Sequence, residues 1–233
     1  MVDIVILLLL AIAILAGFYR GVVYSAISLG LSVLSFILAL VLCSSLSGAF
    51  QKQESLYEMM LYYFEGYEYI NETSVELVHV PAAQIGDTDL EAVILNADMP
   101  VPLDRAVKKN IKGQVYSSQG IYTLGDYFNQ TIVDTVLNIL SLLVLFAVIR
   151  LLLGFGLRLI DFGASGLPRL ARYDAPISCG IGLLHGILLV FILWMLVPIL
   201  LVVVPRLSEF IQSSPLGRFF YQSNLLLRLV PTH

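Results

Sequence analysis

Five ionisable residues stand in or beside stretches that are otherwise apolar: Arg20, Arg150, Asp161, Asp174 and His185. An arginine in such a place either snorkels to a membrane interface or lines a polar path. Counted from Thr131, Arg150 lies about 19 residues into a hydrophobic run, enough to cross a hydrocarbon core ~30 Å thick. Snorkelling at the far interface is therefore the ordinary reading. A second reading sets Arg150 and Asp161, 11 residues apart and nearly at one helical azimuth, along a common polar face. His185, beside Gly186 and three residues from Gly182, is placed to hydrogen-bond across a helix seam. A proton relay there needs an acid within the membrane, and none is evident. His79 and His233 are remote in sequence, and no HExxH, GxSxG or phosphate-cradling glycine motif occurs. The residues thus imply no catalytic constellation, no cofactor and no metal. Cys43 and Cys179 give neither ligand spacing nor a disulfide framework.

The elements that must position these groups are apolar helices. Of 233 residues, 58% are hydrophobic and 13% charged, with a mean hydropathy of +0.89, against roughly 25% charged in soluble proteins. This is the composition of an integral membrane protein. The formal net charge of −4 conceals a division: residues 44–133 hold 5 basic and 12 acidic residues, leaving +3 for the remainder. An acidic segment between hydrophobic blocks gives no reason to expect nucleic-acid binding.

A stripe of small residues, Gly21, Ser25, Ser28, Ser32, Ser35 and Ala39, recurs at gaps of four and three down an uncharged run from Gly21 to Cys43. That spacing keeps one helix face small, as membrane helices require for close approach. Packing is the commoner use of such a stripe; a polar path is the other. Ahead of it, an apolar core from Ile4 to Phe18 resembles a signal peptide but lacks a basic start and runs through Arg20 into the next helix, so a retained first span is expected. Gly17 and Gly21 flank the turn. The expected domains are a transmembrane hairpin at 1–43, an acidic insert at 44–131, transmembrane helices 3 and 4 with a basic loop at 132–204, and an amphipathic tail at 205–233.

Ser44 to Gly48 is expected to break the second helix. The aromatic, acidic run from Phe50 to Ile70 fits either an interfacial helix or the core of a small extramembrane domain. Thr88 to Glu91 reads as a capping sequence for a helix reaching about Asn96, Pro100 and Pro102 end it, and a second helix spans Leu103 to Lys112, closed by Gly113. Gln114 to Tyr122 has some strand character. Gly154 and Gly156 weaken the third span, and Ile177–Val204 is long enough to need tilt or a kink at Pro198. The expected fold is all-α, with four transmembrane helices and a largely helical extracytoplasmic insert between helices 2 and 3. Arg20, Arg158, Arg169 and Arg172 in short connections make their side cytoplasmic, placing both termini and the insert outside. The tail's three arginines, Arg206, Arg218 and Arg228, pull against that orientation.

At the last span the sequence reads Asp174-Ala-Pro-Ile-Ser178-Cys-Gly-Ile-Gly182-Leu-Leu-His185-Gly186, with small residues every fourth position after the aspartate. With Gly17-Phe-Tyr-Arg20-Gly21 in the first turn and Ser213-Ser-Pro-Leu-Gly217-Arg-Phe-Phe-Tyr221 in the tail, this resembles the colicin V production protein (CvpA) family of bacterial inner-membrane proteins. Ser178 stands where a glycine is usual there, and His185 where an arginine is common. The resemblance covers the first hairpin and about 132–201. It implies a multi-pass cell-membrane protein tied to toxin production or export and to envelope homeostasis, and the lack of a catalytic constellation makes a non-enzymatic role the expectation. The expected partners are the lipid bilayer, a second copy in a homo-oligomer, and an envelope or export partner met through residues 44–131. An oligomeric channel or transporter for a small solute or peptide is the alternative.

Overall fold

The computed structural model describes residues 2–64, 69–70, 72–159, 173–204 and 206–231. Among them every extended element is helical, and a lone bridge between Pro81 and Thr123 is the closest approach to a strand. Among the described residues three segments are long and apolar enough to cross a membrane: helix α1 (Val2–Gln51), the stretch Leu124–Leu157, and the stretch Asp174–Val203. The chain divides into two compact units. One comprises Met1–Leu42, Leu142–Val197 and Arg206–Leu226, the other Cys43–Ser141, Pro198–Pro205 and Leu227–His233.

In the first unit α1 is interrupted at Gly21, whose φ of 75° and ψ of 171° lie outside the helical region. The contacts of helix α6 (Asp174–Trp194) establish how far the chain turns there. The position a Cβ would take on Gly186 is 2.7 Å from Ala13 Cβ, while the neighbouring His185 is hydrogen-bonded to Ser32. In a straight helix Ala13 and Ser32 would stand about 28 Å apart. Both meet one turn of α6, so the two halves of α1 run back along each other. Gly21 takes the backbone conformation that side chains disfavour, and Asp174 Oδ1 accepts from Val22 N at 3.2 Å, capping the second half.

Helix α5 (Leu124–Leu159) passes Gly154 and Gly156 without a break. Two glycines cost roughly 2 kcal/mol against alanine, too little to stop a helix whose other side chains favour an apolar setting. Phe36 and Phe146 meet edge to face at 6.5 Å. Leu7, Leu8, Ile12 and Leu15 of α1 and Leu151, Leu152 and Phe155 of α5 are exposed, a surface suited to lipid and costly in water. α6 ends at Trp194, and α7 (Val197–Val203) resumes after a tight turn at Met195 and Leu196. The break falls just before Pro198, as expected where proline removes the amide that would bond the Trp194 carbonyl. The tail forms α8 (Leu207–Gln212) and α9 (Pro215–Gln222). Phe220 packs on Phe191 and Trp194, Trp194 Nε1 donates to Gly217 O, and Asp3 Oδ1 accepts from Ser214 Oγ at 2.7 Å and Leu216 N at 2.8 Å.

In the second unit the expected break after Cys43 is absent. Ser44 to Gly48 does not break the helix, which continues to Gln51. Serine and glycine lower helix propensity by well under 1 kcal/mol to about 1 kcal/mol each, and an established helix propagates through them. Helices α2 (Glu54–Tyr63), α3 (Asp87–Asn96) and α4 (Leu103–Lys112) follow. α3 is preceded by Gly86 with no side-chain cap, so the expected Thr88 cap is not used. At the far end of α4, Gly113 stays right-handed and Gln114 takes the positive φ of 47°. Residues 114–122 form turns and a short 3₁₀ piece in place of a strand. Leu90, Val93, Leu103, Val107, Ile111, Tyr116 and Phe128 are buried, while Glu91–Lys108 and Asp87–Lys112 pair at the surface. The aromatic run is divided: Tyr57 turns inward to a hydrogen bond, whereas Tyr62 and Tyr63 are exposed. Tyr67 and its flanking glutamates Glu65 and Glu68 lie outside the described residues.

Candidate functional site

The small residues form two different seams in the first unit. Gly17 and Gly182 face each other so closely that a Cβ on Gly182 would lie 2.6 Å from Ala13 O and 3.1 Å from Gly17 Cα. A Cβ on Gly17 would run into the Ser178 carbonyl and the Gly182 backbone. This is the backbone approach that small-xxx-small spacing permits between membrane helices. Ser178, fully buried, turns its hydroxyl to its own helix at Ala175 O.

The serine stripe makes the second seam. Ser35 Oγ bonds Leu31 O within the helix, and Ser25 Oγ reaches Gly17 O across the hairpin at 3.3 Å. Ser28 and Ser32 instead receive Arg150 from α5: Nη2 donates to Ser28 Oγ at 2.7 Å and Nε to Ser32 Oγ at 2.9 Å. His185 Nε2 is 2.8 Å from the same Ser32 oxygen, which also lies 3.1 Å from Ser28 O. Arginine only donates, so Ser32 must accept from it. Its single proton goes either to Ser28 O, with His185 Nε2–H donating, or to an unprotonated Nε2. Gly154 lies one turn beyond Arg150, and a Cβ there would sit 3.2 Å from Nη1. The guanidinium thus points into the bundle at the serine seam, a different placement from snorkelling outward. Ser28 and Ser32 are about 10 and 16 Å along the helix from Gly21.

Beside this cluster is a cavity of about 730 Å³, lined by Arg20, Tyr24, Ser28, Arg150 and His185 on its polar part, with Leu151, Phe155 and Leu189 among its apolar walls. Arg20 lies over the Tyr24 ring, 5.5 Å from its centre, a cation–π arrangement. Asp174 is committed to Val22 N, and Asp161 lies outside the described residues. No carboxylate among the described residues lines the cavity. Two guanidinium groups with hydroxyl, phenol and imidazole neighbours make a setting for an anion.

The Ser32–His185 pair has the spacing of a nucleophile and its base, but other features oppose that use. Ser32 is 0% exposed, and its oxygen accepts from Arg150. Among the described residues no acid orients His185, and none form a group of three ligands that could hold a metal ion.

The second unit holds a cluster the sequence did not announce. Asp134 on α5, 4% exposed, accepts from Gln51 Nε2 at 3.0 Å, Tyr57 OH at 3.0 Å and Tyr116 OH at 2.8 Å. Gln130 donates to Tyr57 OH, and Asn110 Nδ2 donates to Tyr116 OH and Thr131 Oγ1. Burial first, then the Asp134 charge, pushes both phenols well above their ordinary range. The available signal was Asp134 itself, an acid just inside the third apolar run. Its partners are 18 to 83 residues away, so no local periodicity links them.

No protein-family model, curated protein or solved structure matches the chain.

Proposed function

We propose that this chain is a four-span protein of the bacterial inner membrane, of the colicin V production type. In this reading it is a non-enzymatic factor in toxin production or export, or in envelope homeostasis. The observation that carries the reading is the meeting of the two motifs behind the resemblance: Gly17 abuts Gly182, and Asp174 caps the helix that Gly21 opens. The span count rests on the reversal at Gly21 and on Asp3, whose carboxylate is held by Ser214 and Leu216. Residues joined so directly sit on one side of a bilayer, and a segment that leaves and returns to one side, as from Asp3 to Ser214, crosses an even number of times. Positive-inside counting puts that side outward, with residues 44–131 as the recognition surface for an envelope or export partner. Thiol labelling from each side of the membrane at Ser55→Cys and Tyr19→Cys tests the layout. Outward labelling at Ser55 and inward labelling at Tyr19 is the expected pattern, and the same side for both refutes it. Photocrosslinking from the insert tests the role, with an envelope protein as the expected product and wild-type behaviour after insert deletion as the refutation.

The polar cluster favours a second reading, an oligomeric channel or transporter. Arg150, Ser28, Ser32 and His185 gather beside a cavity, and four short spans need further copies to enclose a path. Ser28→Cys and Ser32→Cys that are both protected from aqueous thiol reagents would remove that reading.

A further inference from the structure

We infer that the cavity of the first unit seats a phosphate group, with Arg150 and Arg20 as its counter-charges and the apolar wall of α5 as the rest for an attached acyl chain. The inference goes beyond the proposed role and rests only on the chain's lying in a membrane.

Three observations converge on it. The first is charge: two guanidinium groups border about 730 Å³ with no carboxylate among the described lining residues. Arg150, part-buried at the serine seam, is costly in a low-dielectric setting unless an anion joins it, and the exposed Arg20 adds a second positive charge to the same lining. The second is donor geometry. Arg150 spends Nε and Nη2 on Ser32 and Ser28, which fixes the plane of the guanidinium, while Nη1 has no acceptor among the described residues. A fixed guanidinium with an edge left over is preorganised for a phosphate oxygen. Tyr24 OH and His185 add hydrogen-bonding groups to the same lining. The third is the shape of the rest. Leu151, Leu152 and Phe155 line the cavity and are 73%, 67% and 65% exposed, so its wall continues onto an open apolar face. A free phosphate uses the polar end alone, whereas an anionic lipid uses both, with its headgroup at the arginines and its chain along α5. Basic pockets between transmembrane helices bind lipid phosphates in this manner.

The test uses the full chain purified in a neutral detergent. Binding of phosphatidylglycerol, phosphatidylcholine and inorganic phosphate is read by native mass spectrometry and by competition. The expected result is retention of phosphatidylglycerol about tenfold tighter than phosphatidylcholine, with Arg150→Gln removing most of that preference and Arg20→Gln part of it. Arg218→Gln, an exposed tail arginine, is expected to leave the preference unchanged and so separates the cavity from general surface charge. Binding of inorganic phosphate that depends on Arg150 and excludes the lipid would support the phosphate seat with a soluble source. Equal retention of the two lipids without phosphate binding overturns the inference. So does a preference that survives both Arg150→Gln and Arg20→Gln. Arg20 is exposed and makes no buried hydrogen bond among those described, so its variant reports even where Arg150→Gln fails to fold. Sided thiol labelling of the same chain in sealed membrane vesicles tests the spans separately. A correctly threaded chain that ignores phosphate overturns this inference alone.

Discussion

Replacing Gly182 and Gly180 by alanine makes one chemical change at two points of α6, with opposite expected signs. Alanine gains about 0.8–1.0 kcal/mol over glycine in a helix interior, and that gain applies to both. At Gly180 nothing lies within 4 Å of the new Cβ, so the gain stands alone. At Gly182 the new Cβ would be 2.6 Å from Ala13 O and 3.1 Å from Gly17 Cα, both backbone atoms. Ordinary contact begins near 3.4 Å, so the first half of α1 must retreat by close to 1 Å or α6 must rotate. Overpacking of this kind costs typically 1–3 kcal/mol. Gly182→Ala should therefore range from neutral to about 2 kcal/mol less stable than the parent, and Gly180→Ala up to about 1 kcal/mol more stable. The gap between the variants, about 1–3 kcal/mol, is the cleaner quantity because propensity cancels from it. Reversible unfolding in bicelles, followed by steric trapping at fixed lipid composition, measures it. Equal stability for the two variants would mean that Gly17 and Gly182 are not in backbone contact, and the hairpin's docking on α6 would fall with it.

Three further outcomes follow from other contacts. Tyr116→Phe removes a hydrogen bond to a buried carboxylate and strands an Asn110 donor, so a loss of about 1.5–3 kcal/mol is expected in chemical unfolding followed by circular dichroism; a loss below about 0.5 kcal/mol would show that Asp134 does not depend on it. Because burial raises the phenol pKa of Tyr57 and Tyr116, the folded state binds their protons more tightly than the unfolded chain does. Their contribution is complete below pH ~10 and declines above it as the unfolded state alone ionises. Absorbance at alkaline pH should show two phenols that titrate only with unfolding, and ordinary titration of all tyrosines would contradict it. Ser28→Leu places a branched side chain where Arg150 Nη2 finds its hydroxyl, so misassembly is expected in size-exclusion and thermal-melt profiles, and unchanged profiles would show that the stripe does not pack.

What the sequence revealed was governed by range. Leu103–Lys112 was legible to the residue, because prolines precede it, glycine follows it, and its buried Leu103, Ala106, Val107, Asn110 and Ile111 repeat at helical spacing. The turn at Gly21 was legible because a charge and two glycines interrupt an apolar run. The Ser44–Gly48 break was misread because local polarity is a weaker term than helix propagation once a helix exists. Among the site residues, Ser28, Ser32, Arg150 and His185 each stood out individually. Their meeting did not, since separations of 118 and 153 residues are set by how three helices dock. Tyr24 and Asp134 carry no local signal of their partners, because a tyrosine or an aspartate at the edge of an apolar run is an ordinary surface residue until something covers it.

The two seams divide the work of holding this unit together. Where Gly17 meets Gly182, attraction comes from dispersion between backbones, which needs absence of side chain and is weakened when a larger residue replaces glycine. Where Ser28 and Ser32 meet Arg150 and His185, attraction is polar and local. A leucine at position 150 with alanines at 28 and 32 would pack such a helix triple without placing a cation in it. Carrying a guanidinium there has a cost that hydroxyl acceptors only partly offset, because they neutralise none of its charge. A bundle selected for packing alone has no use for that arrangement. The adjoining cavity, with Arg20 at its mouth and no described carboxylate in its lining, places the missing negative charge outside the described protein groups and makes the serine seam a support for Arg150 as much as a helix contact.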